Sequence, residues 1–356
     1  MFMKVEPIQD NDPNYPPLEE YVVELHVPPA QQPVRLDVYV TEAIRHATRT
    51  RVQEAIEAGM ISVNGHAAKA SYRVQPSDRI VCRLLRRPPI ELIPENIPLN
   101  ILYEDEDVLV VNKPAGMVVH PAHGNRAGTL VNAVLHHLGM REPITIANSD
   151  ELDDDSESLL LVSAAVRPGI VHRLDKDTSG VMVVAKHEIA SERLARQFAD
   201  RRVHRIYRAI VWGVVRHDEG RIDAPIGRSS RNRKLFAVVE RGGKTAVTTY
   251  RVVERYPFAT LLELKLLTGR THQIRVHMAH IGHPLIGDSS YSGDRLAWGG
   301  LQSKHLRTRA QQCLETIHRQ ALHAAVLGFY HPRTAAYMEF LSPEPSDFVQ
   351  LRRQLL

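Results

Sequence analysis

The segment His172-Arg173-Leu174-Asp175-Lys176-Asp177-Thr178-Ser179-Gly180 constrains the fold more than any other stretch of the chain, because it sets a charged, turn-forming run between two apolar ones. Ahead of it Gly169-Ile170-Val171 is short and apolar. Behind it Val181-Met182-Val183-Val184-Ala185 has the β-branched content of a buried strand. A polar loop framed in this way is held rigidly, and rigidly scaffolded loops are where binding and catalytic groups tend to sit. The loop thus holds a nucleophile-capable carboxylate. A solvated turn carrying ordinary surface charges is the competing reading of the local pattern.

The chain of 356 residues is longer than a usual single domain, so two domains, or one large catalytic domain with an appendage, are expected. A proline-rich join marks the division. Arg87-Pro88-Pro89 through Pro98 cannot continue regular structure and stiffens a connector, so residues 88–99 read as a linker. Before it, residues 1–20 hold Pro7, Pro13, Pro16 and Pro17 among acids and amides and are expected to form a disordered tail. Residues 21–87 then read as a small domain: a strand at Tyr21-Val22-Val23-Glu24-Leu25, a helix carrying Leu36, Val40 and Ile44, and a second helix from about Thr50 to a stop at Gly59. Ile61-Ser62-Val63 and the Asn64-Gly65 turn follow as a hairpin.

Beyond the join, residues 100–356 read as the larger domain. Short strands are expected at Ile101-Leu102-Tyr103 and Val108-Leu109-Val110-Val111, with the segment Asn112-Lys113-Pro114-Ala115-Gly116 after them and a helix over Thr129 to Leu138. Residues 147–166 contain an acidic run and read as a mobile surface insertion that would repel phosphate. Ser191 to Phe198 is amphipathic. Arg205 to Trp212 reads as a strand, as do Ala246 to Val253 and Leu261 to Leu267. Thr268-Gly269-Arg270-Thr271 is a loop turning into a helix over Gln273 to His280, and the part from Leu322 onward reads as structural.

The net charge of +4 hides an uneven distribution, with acids crowding residues 150–157 and arginines crowding 201–208 and 228–234. Such local basic patches suit a polyanionic partner. Two cysteines, Cys82 and Cys313, give neither a disulfide framework nor metal-ligand spacing, which fits a reducing cytoplasm. No apolar run approaches the ~20 residues needed to span a bilayer, so no membrane association is expected.

Two resemblances follow from these motifs. Arg35-Leu36-Asp37 opening one helix, Thr50-Arg51-Val52 opening another and Ile61-Ser62-Val63-Asn64-Gly65 together resemble the S4 RNA-binding domain over roughly residues 33–86. This implies an RNA-facing surface on which Arg45, Arg49, Arg51 and Lys69 are the candidate phosphate contacts. Each of these cations reads equally well as part of a solvated face. From about residue 100 to 345, the strings HRLDKDTSG, RIYRAIVWG and LLTGRTHQIRVHMAHIGHPLIGD, with NKPAGMVVHPAHGN ahead of them, resemble the RluA family of RNA pseudouridine synthases. The resemblance implies a mixed α/β (α+β) pseudouridine synthase fold with a largely antiparallel central sheet and a cleft across it, joined to the small S4-like α/β domain. The implied activity is conversion of uridine to pseudouridine in large-subunit ribosomal RNA, with transfer RNA as the alternative substrate and a catalytically idle ribosome-assembly factor as the non-enzymatic alternative.

The resemblance makes Asp175 the catalytic carboxylate, either adding to the sugar carbon or assisting deprotonation beside it. It makes Tyr207 the active-site tyrosine, stacking on uracil or serving proton transfer, and Arg275 the counter-ion that keeps Asp175 charged. Arg173 would fill the gap left when the target nucleotide leaves its stack, and Arg270 would be a further RNA contact. Each residue also has a plainer reading: Asp175 as a cap on Thr178 and Ser179, Tyr207 as a core aromatic, and Arg275 as part of a solvated helix face. No phosphate-binding glycine signature, metal-ligand cluster or redox cysteine pair stands out, so no cofactor and no metal are expected. His272, His277, His280 and His283 lack an accompanying carboxylate and are expected to be structural. RNA, in ribosomal or pre-ribosomal form, is the expected partner, and a monomer the expected state.

Overall fold

The computed structural model describes residues 19–44, 47–86, 90–121, 125, 127–146, 169–232, 235–296 and 303–356. Arg45, residues 1–18 of the expected tail and the expected acidic insertion lie outside the described residues. The chain divides into two compact units, one of residues 1–90 with 146–151 and the other of residues 91–145 with 152–356.

In the first unit, β1 (Glu19–His26), α1 (Leu36–Ala43), α2 (Arg49–Glu57), β2 (Ile61–Val63), β3 (His66–Ala67) and β4 (Arg79–Arg86) follow one another. The strands form an antiparallel sheet in the order β1-β4-β2-β3. Leu36, Val40, Val52 and Ile56 of the helices close the core against Ile61, Ile80 and Cys82 of the sheet. Thr48 caps α2 by accepting from Arg51 N, and Gly59 adopts φ 72° just past its end, a left-handed conformation open to glycine at little cost. Asn64 and Gly65 both have positive φ, which the two-residue β2–β3 turn requires.

The elements that follow, in the second unit but for Ile90 and Ile146, are β5 (Ile90–Leu92), β6 (Ile101–Glu104), β7 (Val108–Lys113), α3 (Leu130–His137), β8 (Ile144–Ile146), β9 (Gly169–Ile170), β10 (Ser179–Ala185), α4 (Glu188–Ala199) and β11 (His204–Trp212). They continue with β12 (Glu219–Asp223), β13 (Ile226–Arg228), β14 (Phe236–Val238), β15 (Val247–Arg255), β16 (Ala259–Leu266), α5 (Gln273–His280), α6 (Lys304–Thr316), β17 (Leu322–Tyr330), β18 (Tyr337–Leu341) and α7 (Ser346–Leu355). Among the described residues a ten-stranded sheet runs in the order β12-β15-β16-β11-β17-β10-β7-β6, with β18 on β17 and β9 on β10. Its pairings are antiparallel except β10 with β17. The fold is therefore mixed α/β with a largely antiparallel sheet.

Every residue of β10 is buried, so the strand is covered on both faces. On one face Val181, Val183 and Ala185 pack with Ala190 and Leu194 of α4. Farther along the sheet, Ile210, Trp212 and Phe258 pack with Ala310 and Cys313 of α6 and Phe348 and Leu351 of α7. Gly180 is fixed by the approach of β10 to β17: its φ is +125°, and a Cβ there would lie 2.2 Å from the Ala324 carbonyl oxygen. The last residue of the polar motif thus marks where the loop enters the sheet.

Candidate active site

The loop between β9 and β10 is pinned at several points. Asp175 O accepts from Thr178 N at 3.0 Å, and Ser179 Oγ meets His323 Nδ1 at 3.0 Å. His172 Nε2 accepts from Val183 N at 3.1 Å while its ring stacks on Phe198 at 4.6 Å. Burial, reinforced by the nearby Arg205, pushes His172 down to about 3. It is therefore a neutral anchor of the loop at physiological pH, with its proton left to Nδ1. From the other side comes Lys113, at the end of β7 and only 1% exposed. Its Nζ donates to the carbonyls of Pro114 (2.8 Å), Met117 (2.8 Å) and Lys176 (3.0 Å), so the Asn112–Gly116 segment and the Asp175 loop share one buried ammonium. Burial pulls Lys113 down to about 7 against the upward pull of Asp175 and Asp177. Three carbonyls nevertheless need three donors, which only the charged form supplies.

Asp175 keeps 18% of its side chain exposed, opening into a cavity of about 280 Å³. Its Oδ2 accepts from Arg275 Nη1 at 3.0 Å, so the carboxylate meets the guanidinium and does not cap its own loop. Arg275, on α5, is 6% exposed. The other side of its fork lies on Asp288, with Nε to Oδ2 at 2.7 Å and Nη2 to Oδ1 at 2.9 Å. Asp288 is fully buried, and the reading of Arg275 as a solvated helix face is excluded by this burial. Burial alone would raise the Asp175 carboxyl, but His272, Arg275 and Arg173 together hold it below its ordinary range. Burial also lowers His272, which stands 3.9 Å away, so the charge hydrogen-bonded to Asp175 at neutral pH is that of Arg275. Burial would depress Arg275, and its two carboxylates more than reverse this.

Tyr207, on β11, is 7% exposed and lines the same cavity. The pairing of β11 with β17 shifts register between Ile206 and Tyr207, with the extra residue, Ala325, on β17. Burial raises the Tyr207 phenol, Arg205 lowers it and Asp175 raises it, with the net shift upward. The phenol is thus a neutral donor near pH 7.

The loop ahead of α5 also lines the cavity. Gln273 is 2% exposed and holds the loop: its amide oxygen accepts from Thr268 Oγ1 (2.7 Å) and Arg270 N (3.0 Å), and its amide nitrogen donates to Val247 O and Thr248 Oγ1 (both 3.0 Å). His272 takes a left-handed φ of 55° at the helix start and meets Tyr291 Oη through Nδ1 at 2.8 Å. Arg173 is exposed at the cavity, and Arg270 is half-buried there with Nε donating to Thr245 O at 3.2 Å.

Two of the other histidines are held by the scaffold, while His280 is exposed. His277 is fully buried, bonding to Thr248 Oγ1 (2.9 Å) and Ala224 O (3.0 Å), and His283 bonds to Trp212 O (2.8 Å). Among the described residues Asp105, Asp107 and His331 are the one group with metal-ligand proximity. Its atoms are already engaged: Asp105 accepts from Tyr103 Oη and meets His331 Nε2, and Arg333 Nε lies 2.8 Å from Asp107.

In the first unit Arg49, Arg51 and Lys69 are exposed. Arg49 also donates from Nε to Asp37 Oδ2 at 3.0 Å, so part of its charge is neutralised within the unit. Asp37 has no exposed surface and also accepts from Arg35 and Gln53.

Sequence reasoning therefore pointed at Asp175, Tyr207, Arg275, Arg173 and Arg270, and all five line one cavity. It passed over Lys113, Asp288 and Arg205. A lysine closing the apolar run Val-Leu-Val-Val-Asn-Lys is the signal that marks the first of these, and the aspartate ending the HPLIGD string marks the second.

An ionised carboxylate held by a buried guanidinium, with a neutral phenol across a half-open cavity rich in arginine, defines a site for covalent or acid–base chemistry on a polyanionic substrate. Comparison with known proteins gives the class. The family described as RNA pseudouridylate synthase matches residues 107–280, and the S4 domain matches residues 34–80. An uncharacterised RNA pseudouridine synthase of Chlorobaculum parvum is 47% identical over 326 residues, covering 91% of this chain and 94% of that protein. Ribosomal large subunit pseudouridine synthase D of Haemophilus influenzae is 39% identical over 339 residues, covering 95% and 96%. Among solved structures, human RNA pseudouridylate synthase domain containing 4 superposes with a TM-score of 0.52 at 25% identity, covering 72% of this chain and 92% of that one. The chain belongs to the RNA pseudouridine synthase family and carries an S4 domain.

Proposed function

We propose that this protein isomerises specific uridines of large-subunit ribosomal RNA to pseudouridine in the cytoplasm, acting on a hairpin loop, with Asp175 as the catalytic carboxylate. The observation that carries this reading is the buried chain Asp175–Arg275–Asp288 opening beside Tyr207 in one cavity. The reaction breaks the bond between N1 of uracil and C1′ of the ribose and joins C1′ to C5. A proton leaves C5 and one is taken up at N1, so no oxidant or reductant is consumed. Asp175, kept ionised by Arg275, acts on the ribose, either by adding to the sugar carbon or by removing a proton beside it. Arg275 is oriented by Asp288 and so presents one fixed edge to Asp175.

The target base must leave its stack to reach a carboxylate at the base of the cavity, a step that costs a few kcal/mol. Arg173, exposed at the rim, fills the vacated space, and Tyr207 stacks on the extruded uracil, an interaction worth ~1–3 kcal/mol per base. Arg270 adds an RNA contact. The small S4 domain contributes phosphate contacts through Arg49, Arg51 and Lys69. The ribosomal substrate is supported by the relatives named ribosomal large subunit pseudouridine synthase D in Haemophilus influenzae and Zymomonas mobilis.

The test is a map of pseudouridines in ribosomal and transfer RNA from a strain lacking the protein. Loss of specific pseudouridines from large-subunit RNA, restored by the wild-type gene, is expected. An unchanged ribosomal profile, or losses confined to transfer RNA, overturns the substrate assignment.

A further inference from the structure

Arg205 lies on β11 two residues before Tyr207, on the same face of the strand, and both line the cavity. Its guanidinium sits over the Phe198 ring, 5.6 Å from the centroid, and under the Thr268–Thr271 loop, where a Cβ on Gly269 would lie 3.1 Å from Nη1. Its Nε is enclosed and has no hydrogen-bond partner. Among the described residues no carboxylate lies within ion-pair distance of Arg205, whereas Arg275 in the same cavity has two. An arginine does not discharge by losing its proton at physiological pH, so an enclosed guanidinium resting only on an aromatic ring lacks a counter-ion.

We propose that Arg205 binds a phosphodiester adjoining the target nucleotide, in the cavity it shares with Asp175 and Tyr207. This rests on the reading of the cavity as an RNA site. A backbone phosphate fits better than a uracil carbonyl for two reasons. A neutral carbonyl would leave the buried charge uncompensated, and the planar fork of arginine matches two phosphate oxygens. The enclosed Nε and the Phe198 stack fix the fork before substrate arrives, so little side-chain freedom remains to be lost on binding.

The experiment is a double-perturbation cycle on the full chain. A substrate hairpin is made with a neutral methylphosphonate linkage either 5′ or 3′ of the target uridine, and its Kd for wild type and for Arg205→Met is measured alongside the single-turnover rate. At one of the two linkages, the neutral link is expected to weaken wild-type binding by about tenfold to a hundredfold, the range of a hydrogen bond to a charged group. Arg205→Met is expected to weaken binding of the native hairpin similarly. The two changes together should be no worse than either alone, and the maximal rate should fall far less than the affinity. Arg205→Lys, which keeps charge without the fork, should recover part of the loss, and it carries the same cycle if the methionine variant fails to fold. Effects that multiply at both linkages overturn the proposal. Because the cycle is read in Kd, it stays interpretable even if the hairpin is bound and not isomerised, a result that would count against the proposed function instead.

Discussion

Asp288→Asn removes one charge from the Asp175–Arg275–Asp288 chain while keeping the side-chain volume. In the native protein Asp288 is fully buried, receives both Nε and Nη2 of Arg275, and also accepts from Ser290 N at 3.0 Å. Asparagine can accept one arginine N–H through its amide oxygen, but its NH2 then faces the other. At least one charge-assisted hydrogen bond is lost, about 1.5–3 kcal/mol. The full cost of breaking a buried pair, about 3–5 kcal/mol, is not reached because Asp175 still compensates Arg275. The expected destabilisation is therefore about 2–3 kcal/mol, which lowers Tm by roughly 4–12 °C for a domain of this size. With its anchor gone, Arg275 no longer presents a fixed edge to Asp175, and displacements near 1 Å at a reacting group cost on the order of a hundredfold in rate. Calorimetry and single-turnover isomerisation, measured on the same preparation, read the two effects. A variant that melts within about 1 °C of wild type and turns over at the wild-type rate would show that Asp288 does not orient Arg275.

Three further outcomes follow from the same geometry. Lys113→Met leaves the carbonyls of Pro114, Met117 and Lys176 without their shared donor, and a loss of about 3 kcal/mol in denaturant unfolding is expected; an unchanged midpoint would refute the ammonium clamp. Gly180→Ala forces a Cβ to 2.2 Å from Ala324 O at a φ of +125°, and should destabilise by about 2–4 kcal/mol, so a neutral result would mean β10 and β17 can separate at no cost. The hydrogen bond from Arg35, with those from Gln53 and Arg49, holds the Asp37 carboxyl far below its ordinary value despite burial. A depressed folded-state pKa means the stability is present above the unfolded value near 3.9 and is lost as pH falls below it. Hydrogen-exchange protection in α1, corrected for the intrinsic pH dependence of exchange, should fall on acidification through that range, and Asp37→Asn should flatten the dependence; equal pH slopes of protection in the two proteins would count against the network.

Much of the site was legible because its residues sit in compact strings whose local pattern is strong. The run Val181–Ala185 announces a strand buried on both faces, and Asp175, Arg173 and Tyr207 lie beside or within such apolar runs. What the pattern could not give is the use made of groups whose partners are remote. Lys113 ties its own segment to the Asp175 loop through Lys176, 63 residues away, and Asp175 meets Arg275 across 100 residues. The charge on Arg49 suggested an RNA contact, and nothing local reveals that Asp37, 12 residues earlier, takes its Nε. Helix α6 escaped notice for a different reason: in Lys-His-Leu-Arg-Thr-Arg-Ala-Gln-Gln-Cys-Leu-Glu-Thr only Ala310 and Cys313 are buried, which leaves too narrow an apolar stripe to stand out. Short strands such as β13 and β14, three residues each, are likewise made by pairing and not by any periodicity of their own.

The most direct test of the central claim is tritium release from RNA labelled at C5 of uridine, comparing wild type with Asp175→Asn. Because asparagine keeps the size and removes the charge, the variant should fold and bind RNA, yet release no tritium above the enzyme-free background while wild type releases it stoichiometrically at the modified sites. Release by Asp175→Asn at the wild-type rate would contradict the assignment of Asp175 as the catalytic carboxylate.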